Sequence, residues 1–260
     1  MKGASEYAKR LKRFLASLKR KKRKSDAGEP DPRETDIVEE MVLAILEEGT
    51  DRASAKAALA SVMEWMVDFN ELRVTPPREL LRLMSRPVPE AKEKAQRITQ
   101  VLNHIFDKNN SLRINSLRDR PIREVRQFLN LLEGMTPFAS ASVIRRCLGG
   151  HAIPVDEVLR TFLIDRELAG PDADTVELQG FLERHVLAAD SFLFLTAVRA
   201  QALGHYRRMQ ARRKREAAAA TRAGRASSGT RPRAAGKSTK ASRASAASAE
   251  KPRGSAAKAS

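Results

Sequence analysis

The chain has 260 residues, 42% of them hydrophobic, with 49 Lys and Arg against 32 Asp and Glu and a formal net charge of +17. No stretch approaches the roughly 20 consecutive apolar residues that cross a bilayer, and no apolar run ending at a small-residue cleavage site opens the chain. The single cysteine, Cys147, rules out an internal disulfide and any metal site or iron-sulfur cluster built on several thiolates. A cytosolic protein is the expectation.

The positive charge is not spread evenly. Residues 1–24 hold 11 Lys and Arg with 1 acid, and residues 207–260 hold 16 with 2. Residues 25–206 carry 22 against 29, a net of −7. The basic character therefore belongs to two arms, both expected to be poorly ordered, that flank an acidic core. Such arms release counterions from phosphates and bind nucleic acid in a salt-dependent, sequence-tolerant way. In the tail, Arg207, Arg208, Arg212, Arg213, Lys214 and Arg215 are the first candidates.

In the first arm, Tyr7, Leu11, Phe14, Leu15 and Leu18 recur at helical spacing among the cations. A basic amphipathic helix follows, and three readings stand: a solvated helix packed lightly on the core, a nucleic-acid contact, or a helix lying on an anionic membrane. Residues 25–35, with two prolines and a glycine among acids, read as a linker.

The core begins with Ile37, Met41, Val42, Ile45 and Leu46, a helix that Gly49 ends. Thr50 or Asp51 caps the next helix, which is expected to run to about Asn70 with Trp65 packed in the core. Pro76 and Pro77 start a short helix that Pro87 and Pro89 stop. Ala95, Ile98, Val101, Leu102 and Ile105 mark another over residues 89–107. His104 lies near that stripe without a second His or Cys at metal spacing and is given no chemistry. Residues 121–149 form two helices around Glu133-Gly134-Met135-Thr136-Pro137, with Thr136 as N-cap and Pro137 in the first turn. Helices over residues 156–168 and 174–204 follow, the second broken near residues 188–190. No strand pattern is present, so the fold class is all-α. Residues 207–260 lack the apolar residues to offset their ordering entropy, and a disordered tail is expected.

Three segments carry a family resemblance. Leu132-Glu133-Gly134-Met135-Thr136-Pro137-Phe138-Ala139, then Ile153-Pro154-Val155-Asp156 with Asp156 eighteen residues after Phe138, and upstream Leu46-Glu47-Glu48-Gly49-Thr50-Asp51 stand in order. Residues 36–206 thereby resemble the helix-hairpin-helix DNA glycosylases of the endonuclease III superfamily. The resemblance implies that Gly134, Met135, Thr136 and Phe138 lie at a hairpin whose N–H groups meet a DNA phosphate, and that Glu48 and Thr50 face DNA. It also implies that Asp156 is the candidate catalytic residue, stabilising the sugar cation as a flipped base leaves.

The chain departs from the family in ways that matter. Phe138 stands where strand-cleaving members have a lysine, so cleavage through a Schiff base is not implied. Thr136 replaces a glycine, Pro137 has no N–H to give, and Glu48 replaces a glutamine that fills the space of the flipped base. The four cysteines of an iron-sulfur cluster are missing, and neither cofactor nor metal is implied. For Asp156 two readings stand, catalyst or plain N-cap of the following helix. The expected function is a nucleoid-associated DNA-binding protein related to base-excision repair glycosylases, with strand-cleaving lyase activity absent and base excision lost or reduced; an active monofunctional glycosylase using Asp156 and a histone-like nucleic-acid-binding protein are the alternatives. Duplex DNA is the expected partner, with RNA open. Trp65, Phe138 and Tyr206 are the aromatics to inspect for base stacking, each more naturally packing or surface.

Overall fold

The computed structural model describes residues 3–21, 31–84 and 88–228, and among these it holds eleven α-helices and no strand. They are α1 (Ala4–Lys21), α2 (Ile37–Glu47), α3 (Arg52–Met63), α4 (Phe69–Val74), α5 (Pro77–Leu83), α6 (Ala91–Asn109), α7 (Ile122–Asn130), α8 (Pro137–Leu148), α9 (Glu157–Asp165), α10 (Thr175–His185) and α11 (Ala188–Ser228). The expectations for residues 1–2, 22–30, 85–87 and 229–260 lie outside the described residues.

Local chemistry explains most boundaries. The side chains of Asp36, Asp51, Asp68, Thr136, Asp156 and Asp174 each accept a first-turn N–H, supplying acceptors that a helix start lacks. Gly149, at φ 63°, closes α8 in the left-handed region that a side chain disfavours. The helix expected to continue to Asn70 instead stops at Met63. Asp68 starts α4 there, accepting from the Asn70 and Glu71 N–H groups while Glu71 accepts from Val67 N–H at 2.6 Å. This reciprocal cap is close to a capping box. It leaves Trp65 in the turn, 70% exposed, so the expected core packing of Trp65 is corrected.

The chain divides into two compact units, Met1–Lys214 and Arg215–Ser260. Within the first, two apolar cores form. One is built by residues 37–152 around α2, which is buried on almost all sides against α3, α6 and α8. The other gathers Val158, Phe162, Phe181, Phe194 and Val198 of α9, α10 and α11 with Leu11, Leu15 and Leu18 of α1. The N-terminal arm, expected to be poorly ordered, is therefore a docked helix. Its leucines remove enough apolar surface from water to favour docking. The tail expected to be disordered from residue 207 is helical in its first part, since α11 extends to Ser228. Ala, Arg, Lys, Gln and Glu dominate that stretch, and all are strong helix formers. Cys147 is buried, as expected, and burial pushes its thiol up to about 12.

Candidate functional site

The connection between α7 and α8 is a tight hairpin. Met135 N–H closes the turn on the Leu132 carbonyl at 3.1 Å, and Glu133 N–H donates to Nδ1 of His104 at 3.1 Å. Gly134 sits at φ 86°, and a Cβ there would lie 2.5 Å from the Arg97 carbonyl oxygen of α6. Glycine is thus required twice, for its dihedral and for the close approach. The Thr136 hydroxyl accepts from Ala139 N–H at 3.1 Å and donates to Oε2 of Glu48 at 3.0 Å. Arg97 stands 3.6 Å from the same carboxylate. Burial pushes the Glu48 carboxyl up, with Thr136 and Arg97 pulling the other way. The hairpin's helix start therefore already has a carboxylate at its N-cap hydroxyl. Met135 packs against the first core and Phe138 is buried.

Asp156 is buried and caps α9. Its Oδ1 accepts from Leu159 N–H at 3.0 Å and its Oδ2 from Gly49 N–H at 2.8 Å, across 107 residues of sequence. Nη1 of Arg199, from α11, stands 2.7 Å from Oδ1. That nitrogen makes no aligned hydrogen bond, so the contact is an ion pair rather than a directed bond. Nη2 of Arg199 donates to the carbonyls of Glu47 and Thr50 at 3.2 and 3.0 Å, and its guanidinium lies 5.1 Å from the centre of the Phe138 ring. One cation thus joins Asp156, the end of α2 and Phe138.

The arrangement can be set beside known proteins. Endonuclease III trapped in a covalent intermediate with DNA superposes with a TM-score of 0.55 at 14% identity, over 72% of this chain and 85% of that one. The H. pylori 3-methyladenine DNA glycosylase bound to 1,N6-ethenoadenine gives 0.54 at 15%, over 76% and 97%. A thermostable thymine-DNA glycosylase gives 0.52 at 14%, over 76% and 87%. The chain has the helix-hairpin-helix DNA glycosylase fold. At these identities the likeness is one of fold. No family model matches the chain, and no curated protein matches it by sequence.

Within that glycosylase fold, the structure brings Glu48, Thr136, Phe138 and Asp156 around the junction of the two cores. Thr50 is buried, with its carbonyl taken by Arg199. Arg207 reaches Oδ2 of Asp51 at 3.0 Å, while Arg208, Arg212, Arg213, Lys214 and Arg215 are exposed on α11. Tyr206 packs against the second core.

Sequence reasoning missed a cleft of about 450 Å³ between α2, α3, α8 and α11. Glu40 and Glu47 of α2 line it, crossed by Arg52 of α3 and Arg146 of α8. Arg146 reaches Glu40 at 2.9 Å and Glu47 at 2.6 Å. Burial pushes the Glu47 carboxyl up, but Arg146, Arg52 and Arg199 outweigh it and hold it below its ordinary value. Phe138, Phe192 and Leu195 supply apolar wall, and Lys56 and Arg199 add charge. Also missed was Lys94 of α6, almost wholly buried, whose ammonium donates to the carbonyls of Leu46 and Glu48. The one available signal was the presence of Glu40 and Lys94 inside otherwise apolar helical patterns.

Proposed function

We propose that this protein is a DNA-binding protein on a glycosylase fold in which base excision has been lost and strand cleavage through a lysine Schiff base is absent, acting in the cytoplasm on duplex DNA. The observation that carries the reading is the state of Asp156. Stabilising a developing sugar cation needs a carboxylate whose negative charge reaches the reacting atom, and a guanidinium held against that carboxylate opposes it. Here both oxygens accept backbone N–H groups and Arg199 supplies the counter-charge. Phe138 puts a ring where a nucleophilic amine would be needed, and Arg199 lies over that ring.

Binding is supported by other parts of the fold. The DNA complexes and intermediates among the structural neighbours use the same fold. The hairpin presents the N-terminus of α8, whose dipole favours a phosphate, but Pro137 has no N–H, Thr136 takes that of Ala139 and Glu48 stands at the cap, so exposed cations carry the larger share of binding. The exposed cations of α11 offset the negative balance of the core.

The test is single-turnover base release at low salt from duplexes carrying uracil, oxidised purine, alkylated purine or mismatched adenine, alongside binding to the same duplexes. Binding without release is expected. Release that disappears in Asp156→Asn would overturn the loss of chemistry and make the protein a monofunctional glycosylase. Binding that resides wholly in residues 207–260 would favour a histone-like role instead.

A further inference from the structure

The way α1 docks selects among its possible partners. Leu11, Leu15 and Leu18 point into the second core. A helix that lies in a membrane interface needs its apolar face for the lipid, and here that face is already covered. What α1 leaves to solvent is the opposite face, where Lys9, Lys12, Arg13 and Arg20 recur along one stripe. At 1.5 Å per residue this stripe is about 16 Å long.

These cations are poorly compensated. Glu6 is the only acid of α1 and stands near Lys9 and Arg10 at 4.0 and 3.7 Å. Lys19 is taken by Asp190 at 2.7 Å. Lys12 and Arg13 have no acidic partner among the described residues, and Arg20 reaches only the Ala16 carbonyl of its own helix at 3.5 Å. A face built for solubility alone mixes both signs; this one does not.

The flank of α1 and the start of the basic segment of α11 both meet the end of α9. Asp165, the last residue of α9, binds His205 of α11 at 2.6 Å, and Glu167, just beyond the helix, binds Arg10 of α1 at 2.8 Å. Arg10, on the flank of the stripe, and His205, two residues before Arg207, are thereby held at one end of α9, while Arg207 itself turns to Asp51 and Arg208 is exposed. We propose that the solvent face of α1, together with the start of the basic segment of α11, is a second phosphate-binding surface for duplex DNA, carried by the lobe that lacks the hairpin. This inference rests on the DNA-binding reading and adds a fixed, sequence-independent extension to the hairpin's footprint.

The experiment compares the full chain with the triple variant Lys12→Gln, Arg13→Gln, Arg20→Gln for binding to a long undamaged duplex across a salt series. Each phosphate that the variant no longer neutralises lowers the slope of log affinity against log salt by about 0.9. A drop of about 2 to 3 is expected at an unchanged unfolding midpoint, with the charge-conserving Lys12→Arg keeping the native slope. An unchanged slope in a triple variant that still binds DNA overturns this surface and leaves the DNA-binding reading intact. A native chain that binds no duplex overturns both. Tighter binding to phosphatidylserine vesicles than to duplex at equal salt, abolished in the triple variant, would assign the surface to a membrane instead.

Discussion

Lys94 shows what burial does to a single residue. Its long side chain runs inside the first core and ends on the Leu46 and Glu48 carbonyls, which α2 leaves without N–H partners at its C-terminus. Desolvation pushes the ammonium down to about 8 from an ordinary 10.5, with Glu48 and Glu90 opposing. Between those two values the unfolded chain holds the proton more tightly, so stability rises with pH through the window and is lost again as pH falls to 8. Cys147 works in the opposite direction, because its unfolded thiol ionises near 9 and the folded one only at about 12. Comparing the native chain with Lys94→Met cancels the cysteine contribution. The native chain should gain on the variant by on the order of 1–3 kcal/mol between pH 8 and 10.5 in urea unfolding. A difference independent of pH would mean that the amine is not desolvated.

At the scale of elements, the hairpin depends on one backbone position more than on its side chains. Gly134 combines a positive φ with a Cβ position that collides with backbone, whereas Gly149 has a positive φ and only Pro32 nearby, at 3.9 Å. Gly149→Ala should therefore cost about 1 kcal/mol, the conformational penalty alone. Gly134→Ala should cost about 3 kcal/mol or more, because α6 or the turn must move. Paired denaturant midpoints check this, and equal losses would contradict the close packing of the turn on Arg97. The two positions also show the reach of sequence reasoning. The Gly134 turn and the Thr136 cap were legible because the signals lie within a few residues of the structure they specify. The stop at Met63 was equally local, through Asp68 and Glu71, yet the apolar pattern continuing to Met66 masked it.

At the scale of the molecule, both flanking helices, α1 and the first part of α11, belong to the folded unit. Leu11 is fully buried, so Leu11→Ala should destabilise the whole protein by about 2–5 kcal/mol. An unchanged thermal midpoint would return α1 to the status of a loose arm. Charge segregation, the all-α class, the caps at Asp51, Thr136 and Asp156 and the hairpin were determined by the sequence itself, because periodicity, N-cap chemistry and net charge act over one or two turns of chain. The state of Asp156 was not. As an N-cap it follows from its neighbours, but the Gly49 N–H and the Arg199 guanidinium that saturate it come from distant segments. The cross-braced pairs of Glu40 and Glu47 with Arg146, the exposure of Trp65 and the docked face of α1 were likewise decided only by tertiary structure. Each depends on which remote surface a side chain meets, and a carboxylate's chemistry depends on the counter-charge that meets it.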